Sequence, residues 1–262
     1  MGNSMIILTI ALHPHLHKPM YFFIANLALV DIFCTSCVLP KMMHNLILGK
    51  KIISFHGCMA QLFTFLLSTA TALVLITAMT FGQYMVICHP LYYVTIMTKR
   101  VCITLAGCIW SMAAINTLGN TLFIVHLDFC GSNLIKHFFC EISPLLALSC
   151  SSTYLNQFMD FVADICLAMG NFLLITVSYG FIIRSILNIQ GSEGQQRAFS
   201  TCSSHLVVVG LYYSTIIYTY IQPPSSYSLD KDKMVAMLHT LVIHGESSNL
   251  QPVQQGSQSG LQ

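Results

Sequence analysis

The sequence has very little charge. Only 8% of its 262 residues are Asp, Glu, Lys or Arg, whereas about a quarter of an ordinary soluble domain is charged. Hydrophobic residues make up 55% and the mean hydropathy is +0.71, which excludes a soluble globular protein, a disordered chain and a secreted disulfide miniprotein. A net charge of +2 gives no reason to expect a nucleic-acid partner. The composition predicts a polytopic membrane protein.

Patterns typical of other membrane proteins are also missing. Segments that alternate polar and apolar residues, as in a membrane β-barrel, do not occur. Transporter-like inverted repeats and a pore-lining ring of charge are not evident. An intramembrane hydrolase needs a nucleophile with a base, but Asp160 and Asp164 lie on one predicted helix and no Gly-x-Ser-x-Gly occurs. We therefore expect no enzyme, no catalytic residue and no cofactor.

Long apolar runs are what the chain does contain. A transmembrane helix needs about 20 mostly apolar residues, and five stretches meet this requirement. They are Met20 to Leu39, Met59 to Phe81, Val101 to Val125, Phe158 to Ile183 and His205 to Ile221. Two further pieces, Met5 to Leu12 and Met234 to Ile243, are about half a span long. The sequence predicts an all-α membrane protein with five full spans and two partial helices.

Cysteines indicate the orientation in the membrane. Lys and Arg are spread over both sides, so the positive-inside rule does not decide it. Cys130, Cys140 and Cys150 share the longest loop, Leu127 to Tyr154, and Cys58 opens the second full span on the same face. We place this loop outside, because grouped cysteines are typical of an oxidising compartment.

Proline and polar residues mark the remaining connections. Pro40 is expected near the end of a span, where a missing N–H does least damage. The polar segment Asn188 to Gln196 is predicted to be a loop. The Ser, Gly and Gln-rich residues 244–262 cannot bury a core. We expect the bundle domain to cover residues 1–243 and a disordered tail to follow it.

Two groups of possible metal ligands have simpler interpretations. Cys34 and Cys37 lie inside an apolar span, where zinc or thioredoxin chemistry lacks the accessible thiolates it needs. We interpret both as buried small residues. His13, His15 and His17 alternate without companion Cys or acidic ligands, which favours a polar cytoplasmic loop. No metal site is predicted from either group.

Several separated motifs carry a family resemblance. They are Leu16-His17-Lys18-Pro19-Met20-Tyr21-Phe22-Phe23 with Asn26-Leu27-Ala28 and Asp31, Ile87-Cys88-His89-Pro90-Leu91-Tyr92-Tyr93, Phe138-Phe139-Cys140-Glu141 with Leu148-Ser149-Cys150-Ser151, Ser178-Tyr179, and Ala198-Phe199-Ser200-Thr201-Cys202-Ser203-Ser204-His205-Leu206. Because these motifs occur in this order, the chain resembles vertebrate olfactory receptors, which are rhodopsin-like seven-helix receptors. The resemblance implies a G-protein-coupled receptor in the plasma membrane. Its expected partners are a small hydrophobic odorant, the lipid membrane and a heterotrimeric G protein of the olfactory stimulatory type.

The resemblance also implies disulfides and a ligand site. In the family, the cysteine at the top of the third helix pairs with the middle loop cysteine, here Cys58 with Cys140. The outer two pair with each other, here Cys130 with Cys150; free thiols are the alternative. The ligand site should be mostly apolar, although packing between helices is the alternative role of each candidate. The candidates are Phe65, Thr69, Leu73, Ala163, Asp164, Leu167, Tyr213, Ile216 and Tyr220.

Ionisable residues inside a membrane are functional candidates by default. Asp31 matches the acidic residue that in seven-helix receptors helps to hold a sodium ion. Odorant receptors commonly have a glutamate opposite it, where this chain has Ala72. A hydrogen bond to a neighbouring helix is the alternative role for Asp31, as for Asp160 and Asp164.

The inner end of the third helix departs from the family. The family reads Met-Ala-Tyr-Asp-Arg-Tyr, whereas this chain reads Met79-Thr80-Phe81-Gly82-Gln83-Tyr84. In the family, the two charges form an ion pair at rest and the arginine later enters the G-protein interface. Gly82 and Gln83 remove both charges and weaken the helix. We assign Gly82, Gln83, Tyr84 and Tyr179 to the switch region and expect poor or no coupling.

The two ends depart from the family as well. Gly2-Asn3 matches the middle of the family's first helix, and the chain turns polar at His244 instead of continuing Pro-Met-Leu-Asn-Pro. We expect partial first and seventh helices, because about ten residues rise only about 15 Å. The tail should then not reach the cytoplasm through a complete helix, and retention in the endoplasmic reticulum is expected if folding fails. The alternative to an impaired receptor is an inert, pseudogene-like or alternatively spliced membrane protein.

Overall fold

The computed structural model describes residues 2–48, 53–130, 140–146, 148–151, 153–189 and 191–221. The helices are α1 (Gly2–Leu12), α2 (Pro19–Leu48), α3 (Phe55–Cys88), α4 (Pro90–Ile96), α5 (Lys99–Val125), α6 (Ile142–Leu146), α7 (Tyr154–Leu187) and α8 (Ser192–Ile221). In this part of the chain the β-structure consists of a single bridge between Phe129 and Ser149. The predicted partial helix at Met234 to Ile243 and the predicted tail lie outside the described residues.

Four helical segments in the described part are long and apolar enough to cross a membrane. They are Pro19–Val38, Phe55–Cys88, Lys99–Val125 and Ile165–Leu187. They overlap the first four predicted spans, and α1 is a shorter apolar helix, as predicted. The fifth predicted span forms the second half of α8. The observed architecture is the predicted all-α arrangement.

Side-chain caps begin two of the spanning helices. The hydroxyl of Ser54 accepts a hydrogen bond from the Gly57 backbone N–H at 3.2 Å, and the hydroxyl of Thr98 accepts one from Val101 at 3.4 Å. Each bond satisfies a backbone donor that has no partner inside the helix. Short polar residues therefore start α3 and α5 before the apolar runs that were predicted as spans.

One predicted boundary is confirmed and one is wrong. The membrane-spanning part of α2 ends at Val38, so Pro40 lies near the end of the span as expected, although the helix itself continues to Leu48. A proline inside a helix is tolerated in membrane proteins because neighbouring groups can satisfy the freed backbone carbonyl. The predicted polar loop Asn188 to Gln196 is partly helical, because α8 begins at Ser192. Glu193 in its first turn favours a helix start electrostatically.

α3 is the central helix of the bundle. Ala72 and Leu75 on one face join the apolar cluster that α3 forms with α1, α2 and α5. Leu73 and Ile76 join a second cluster with α7 and α8. This division follows from the helical repeat, which turns successive residues towards different neighbours. The face that carries Leu73 and Ile76 is therefore the one available to a site between α3, α7 and α8.

Cys34 and Cys37 were both interpreted as buried small residues, and this is correct only for Cys34. Cys34 is 1% exposed and packs with Val38, whereas Cys37 is exposed on the surface of the helix. The two cysteines are three positions apart in α2, but they do not share the same degree of burial because only the Cys34 side faces the bundle. Cys37 therefore does not contribute a buried side chain to the core.

Candidate functional site between α3, α7 and α8

Two disulfides hold the loop between α5 and α7, one of them to the start of α3. Cys58 at the start of α3 is bonded to Cys140, with their Cα atoms 5.5 Å apart. Cys130 is bonded to Cys150, with a Cα separation of 5.9 Å. These are the two pairs that the resemblance implies. They attach the outer loop to α3 and to itself.

Apolar packing extends this attachment. Leu145 of α6 is buried in one cluster with Leu62 of α3 and Ile124 of α5. Backbone hydrogen bonding adds a contact in the loop, where the Cys150 N–H donates to the Asp128 carbonyl at 3.0 Å. The loop segment beside α6 is thus packed on the outer ends of two spans.

Four predicted ligand residues lie between α3, α7 and α8, and we call them the ligand cluster: Thr69, Leu73, Leu167 and Tyr213. The last three share one apolar cluster. The Thr69 carbonyl accepts a hydrogen bond from the Tyr212 hydroxyl at 3.1 Å, which holds α8 next to this part of α3. The Thr69 hydroxyl is buried and has no hydrogen-bond partner among the described residues. The ligand cluster is therefore mostly apolar, and the Thr69 hydroxyl is its one buried polar group without a hydrogen-bond partner among the described residues.

The structure does not bring the whole predicted set together. Phe65 packs against Cys34 and Val38 of α2. Ala163 is half-buried on α7. The side chains of Asp164, Ile216 and Tyr220, and also that of Asp160, lie outside the described residues. The assignment of Phe65 to the ligand site stays a prediction.

Asp31 has a hydrogen-bonding role. Its carboxylate is 0% exposed and accepts a bond from the Asn3 side-chain amide at 3.0 Å. Ala72, which stands where the family has a glutamate, is also buried and offers no oxygen ligand. Among the described residues, no group of three or more His, Cys, Asp or Glu could hold a metal ion. Asp31 therefore lacks the second carboxylate that the family commonly provides, and a sodium ion at Asp31 stays a prediction.

The inner end of α3 carries a buried polar network. The Tyr179 hydroxyl donates to the Gln83 side-chain oxygen at 3.0 Å and lies 2.6 Å from Nδ1 of His205. A phenol has one proton, so the bond to His205 requires Nδ1–H to donate to the Tyr179 oxygen. All three side chains are buried, and the Tyr179 and His205 rings are stacked. We call Gln83, Tyr179 and His205 the inner network.

This proton order determines the state of His205. With the proton on Nδ1, Nε2 is an acceptor, and it is buried without a hydrogen-bond partner among the described residues. A charged imidazolium would instead bury an unpaired N–H and a net charge, which is far more costly. The network is therefore a chain of neutral groups running from α8 through α7 to α3.

Two other predicted switch residues lie outside the inner network. Tyr84 contacts Nε2 of His89 at 3.2 Å and packs against Phe181. Gly82 lines a small apolar cavity of about 10 Å³ beside Tyr93 and Met97, on the other side of the helix. The structure thus joins Gln83 to Tyr179 by a hydrogen bond, packs Tyr84 against the apolar cluster that contains Tyr179, and places Gly82 beside α4.

Sequence reasoning missed two polar links. His205 has no role of its own among the sequence predictions, although a titratable residue at the start of an apolar run is itself a signal. Asn171 accepts a hydrogen bond from the Thr77 hydroxyl at 2.6 Å and donates to the Leu167 carbonyl. No local pattern pairs Thr77 with Asn171, because their contact depends on how α3 and α7 pack.

The fold defines the class of protein. The structure is similar to the crystal structure of squid rhodopsin with a TM-score of 0.74, covering 99% of this chain and 76% of rhodopsin. The identity is 15%, so this likeness shows the fold alone. Together with the spanning helices, it makes the chain a multi-pass membrane protein with a rhodopsin-like seven-helix receptor fold.

The sequence comparisons define the family. A family model described as olfactory receptor matches residues 1–242. The chain is 51% identical to human olfactory receptor 13G1 over 242 residues, which cover 92% of this chain and 79% of the relative. It is 48% identical to human olfactory receptor 13A1, with 92% and 74% covered, and 41% identical to mouse olfactory receptor 8U3, with 93% and 76% covered. The chain belongs to the olfactory receptor family, whose members are receptors and not enzymes.

Proposed function

We propose that the chain binds small, mostly hydrophobic odorants that carry one polar group, at the ligand cluster in the plasma membrane. The observation that carries this proposal is the buried Thr69 hydroxyl without a hydrogen-bond partner among the described residues. Leaving such a group unsatisfied costs about 1–3 kcal/mol. A ligand oxygen or hydroxyl next to Leu73, Leu167 and Tyr213 would recover part of this cost while its hydrocarbon part packs on the apolar side chains.

The test compares odorant classes on one variant. In Thr69→Val, the shape of the side chain is kept and the hydroxyl is lost, so binding of oxygen-containing odorants to the purified chain in nanodiscs should weaken about tenfold. Hydrocarbon odorants of the same size should bind equally well. The matched control is Thr176→Val on α7, because the Thr176 hydroxyl is exposed and bonds to the Phe172 carbonyl. Equal losses for both odorant classes would refute the hydrogen bond.

The second part of the proposal concerns signalling. Gln83 is neutral and already accepts a hydrogen bond from Tyr179, so it cannot offer the charged, multidentate contacts of an arginine. We infer that coupling to a G protein of the olfactory stimulatory type is weak even when an odorant is bound.

Coupling can be measured against a relative. At matched surface staining, the odorant-dependent cAMP rise should be about a tenth or less of that of human olfactory receptor 13G1, because a charge-assisted contact is missing. A full response would refute impaired coupling. Odorant binding without a response would support it. A chain that neither binds odorants nor reaches the cell surface would favour the alternative of an inert membrane protein.

A further inference from the structure

Gln61 is a buried polar residue of α3 to which the ligand cluster and the inner network give no role. It is 4% exposed and follows the disulfide-bonded Cys58 by one helical turn. Its side-chain oxygen accepts a hydrogen bond from the Cys140 backbone N–H at 3.2 Å. Its side-chain nitrogen donates to the Cys37 carbonyl of α2 at 3.5 Å. One amide therefore joins α2, α3 and the outer loop.

The acceptor on α2 lies in a turn that a proline disturbs. Cys37 precedes Pro40 by three residues, and Pro40 is inside the helix. A proline inside a helix has no N–H to donate to the carbonyl four residues before it, here that of Ser36, and its ring crowds the same turn. In a membrane, groups from neighbouring helices bond to carbonyls of such turns. The Gln61 amide is a partner of this kind for the Cys37 carbonyl, which follows Ser36.

The contact with Cys140 complements the disulfide. The bond from Cys58 to Cys140 joins two side chains, and the loop backbone can still rotate about the side-chain torsions of Cys140. The hydrogen bond from the Cys140 N–H to Gln61 restrains that backbone directly. Glu141 and helix α6 follow Cys140 immediately, so their direction depends on this restraint.

We propose that Gln61 is a positioning residue that sets the direction of the loop segment Cys140 to Leu146 on α3, and thereby controls how odorants enter and leave the site. The part about odorants rests on the proposed function, whereas the part about the loop does not. The disulfide keeps the loop attached, and Gln61 orients it.

Two variants separate the two hydrogen bonds. Gln61→Leu removes both of them while nearly keeping the side-chain volume. Gln61→Glu keeps an oxygen acceptor for the Cys140 N–H and loses the donor to the Cys37 carbonyl. The matched control is Thr64→Val, which removes a hydroxyl one turn along α3 that bonds only within the helix, to the Ala60 carbonyl.

The measurement is backbone hydrogen exchange of the peptide from Cys140 to Leu146 in the full chain in nanodiscs, after non-reducing mapping has shown that both disulfides are intact. We expect exchange to be about tenfold faster in Gln61→Leu, near the parent rate in Gln61→Glu and unchanged in Thr64→Val. Unchanged exchange in Gln61→Leu would overturn the proposal. Rescue by Gln61→Glu distinguishes the oxygen acceptor from a general packing role, so equally fast exchange in both Gln61 variants would also overturn it.

The kinetics of odorant binding test the second part of the proposal, the control of entry and exit. In Gln61→Leu, both association and dissociation of a bound odorant should become about tenfold faster at nearly constant affinity, as expected when an entrance loosens. Unchanged kinetics together with faster loop exchange would overturn the control of entry. If no odorant binds the parent chain, the proposed function fails, and the exchange experiment still decides whether Gln61 orients the loop.

Discussion

The outer and inner halves of the bundle around α3 are held together by different kinds of interaction. The outer half has two disulfides, Cys58–Cys140 and Cys130–Cys150, and a loop packed on the helix ends. The inner half is joined by hydrogen bonds between neutral groups, of which the inner network is the most buried. A single hydrogen bond contributes about 1 kcal/mol net, so the inner contacts can rearrange at a small cost. The two halves therefore differ in how much a rearrangement of their contacts costs.

One apolar cluster connects the two halves. Leu73, Leu167 and Tyr213 of the ligand cluster belong to the same packed group as Tyr179 of the inner network. The bond between Thr77 and Asn171 lies between them on α3 and α7. Packed interiors transmit displacements because they contain few voids. The two sets of residues therefore belong to one continuous packed group.

The largest effect is expected from breaking the outer half. Removing the Cys58–Cys140 bond with Cys140→Ser should cost about 4–5 kcal/mol, and removing the other with Cys130→Ser about 3 kcal/mol, because loop entropy grows with the closed length. The two bonds close separations of 82 and 20 residues. Thermal unfolding of the purified chain in nanodiscs should give the lower midpoint for Cys140→Ser. The reverse order would contradict the entropic explanation.

Breaking the contacts of the inner half should cost less stability than breaking the disulfides of the outer half. Tyr179→Phe removes the central hydroxyl and leaves Gln83 and His205 with unsatisfied groups, which should cost about 1–3 kcal/mol. Tyr154→Phe is the control, because Tyr154 is 77% exposed and should change stability by less than about 0.5 kcal/mol. Both can be measured by chemical denaturation in detergent. Equal values for the two variants would mean that the inner network does not stabilise the bundle.

A variant of Gly82 separates two effects on stability, that of a glycine inside a helix and that of the lost acidic residue. Gly82→Ala should stabilise the chain by up to about 1 kcal/mol, because alanine is the better helix former. A Cβ atom at this position meets only the Met97 Cε atom, at 3.6 Å, which is an ordinary contact. Ala78→Gly, one turn away on α3, should have the opposite effect in the same denaturation experiment. A loss of stability in Gly82→Ala would show that the inner end has no room for a side chain.

The smallest effect is expected on the stability at high pH, through Tyr93 of helix α4 between α3 and α5. Burial, and secondarily the nearby Cys102 thiolate, raises the pKa of Tyr93 in α4. The folded state therefore favours the neutral phenol, and this contribution to stability is present below the ordinary pKa of about 10 and lost as pH rises through the raised value. Unfolding midpoints between about pH 9 and about pH 11 should fall less steeply in Tyr93→Phe than in the parent. The same slope in Tyr93→Phe and in the parent would contradict this contribution.

The sequence by itself determined the membrane architecture and the family. Spans such as Val101 to Val125 were predicted to within a few residues, because the hydrocarbon thickness requires a long apolar run wherever a helix crosses it. The pairing of Cys58 with Cys140 followed from a motif resemblance, since three cysteines in one loop and one at a helix end leave other pairings open on spacing alone.

Only the tertiary structure decided which neighbour each helix face meets. Helical spacing put Phe65, Thr69 and Leu73 near one another on α3, but packing turned Phe65 towards α2 and Leu73 towards α7 and α8. The roles of His205 and Gln61 could not be predicted for the same reason, because their partners are far away in sequence and lie on other elements. Periodicity within a helix specifies which residues share a face, whereas the partner of that face depends on the positions of the other helices.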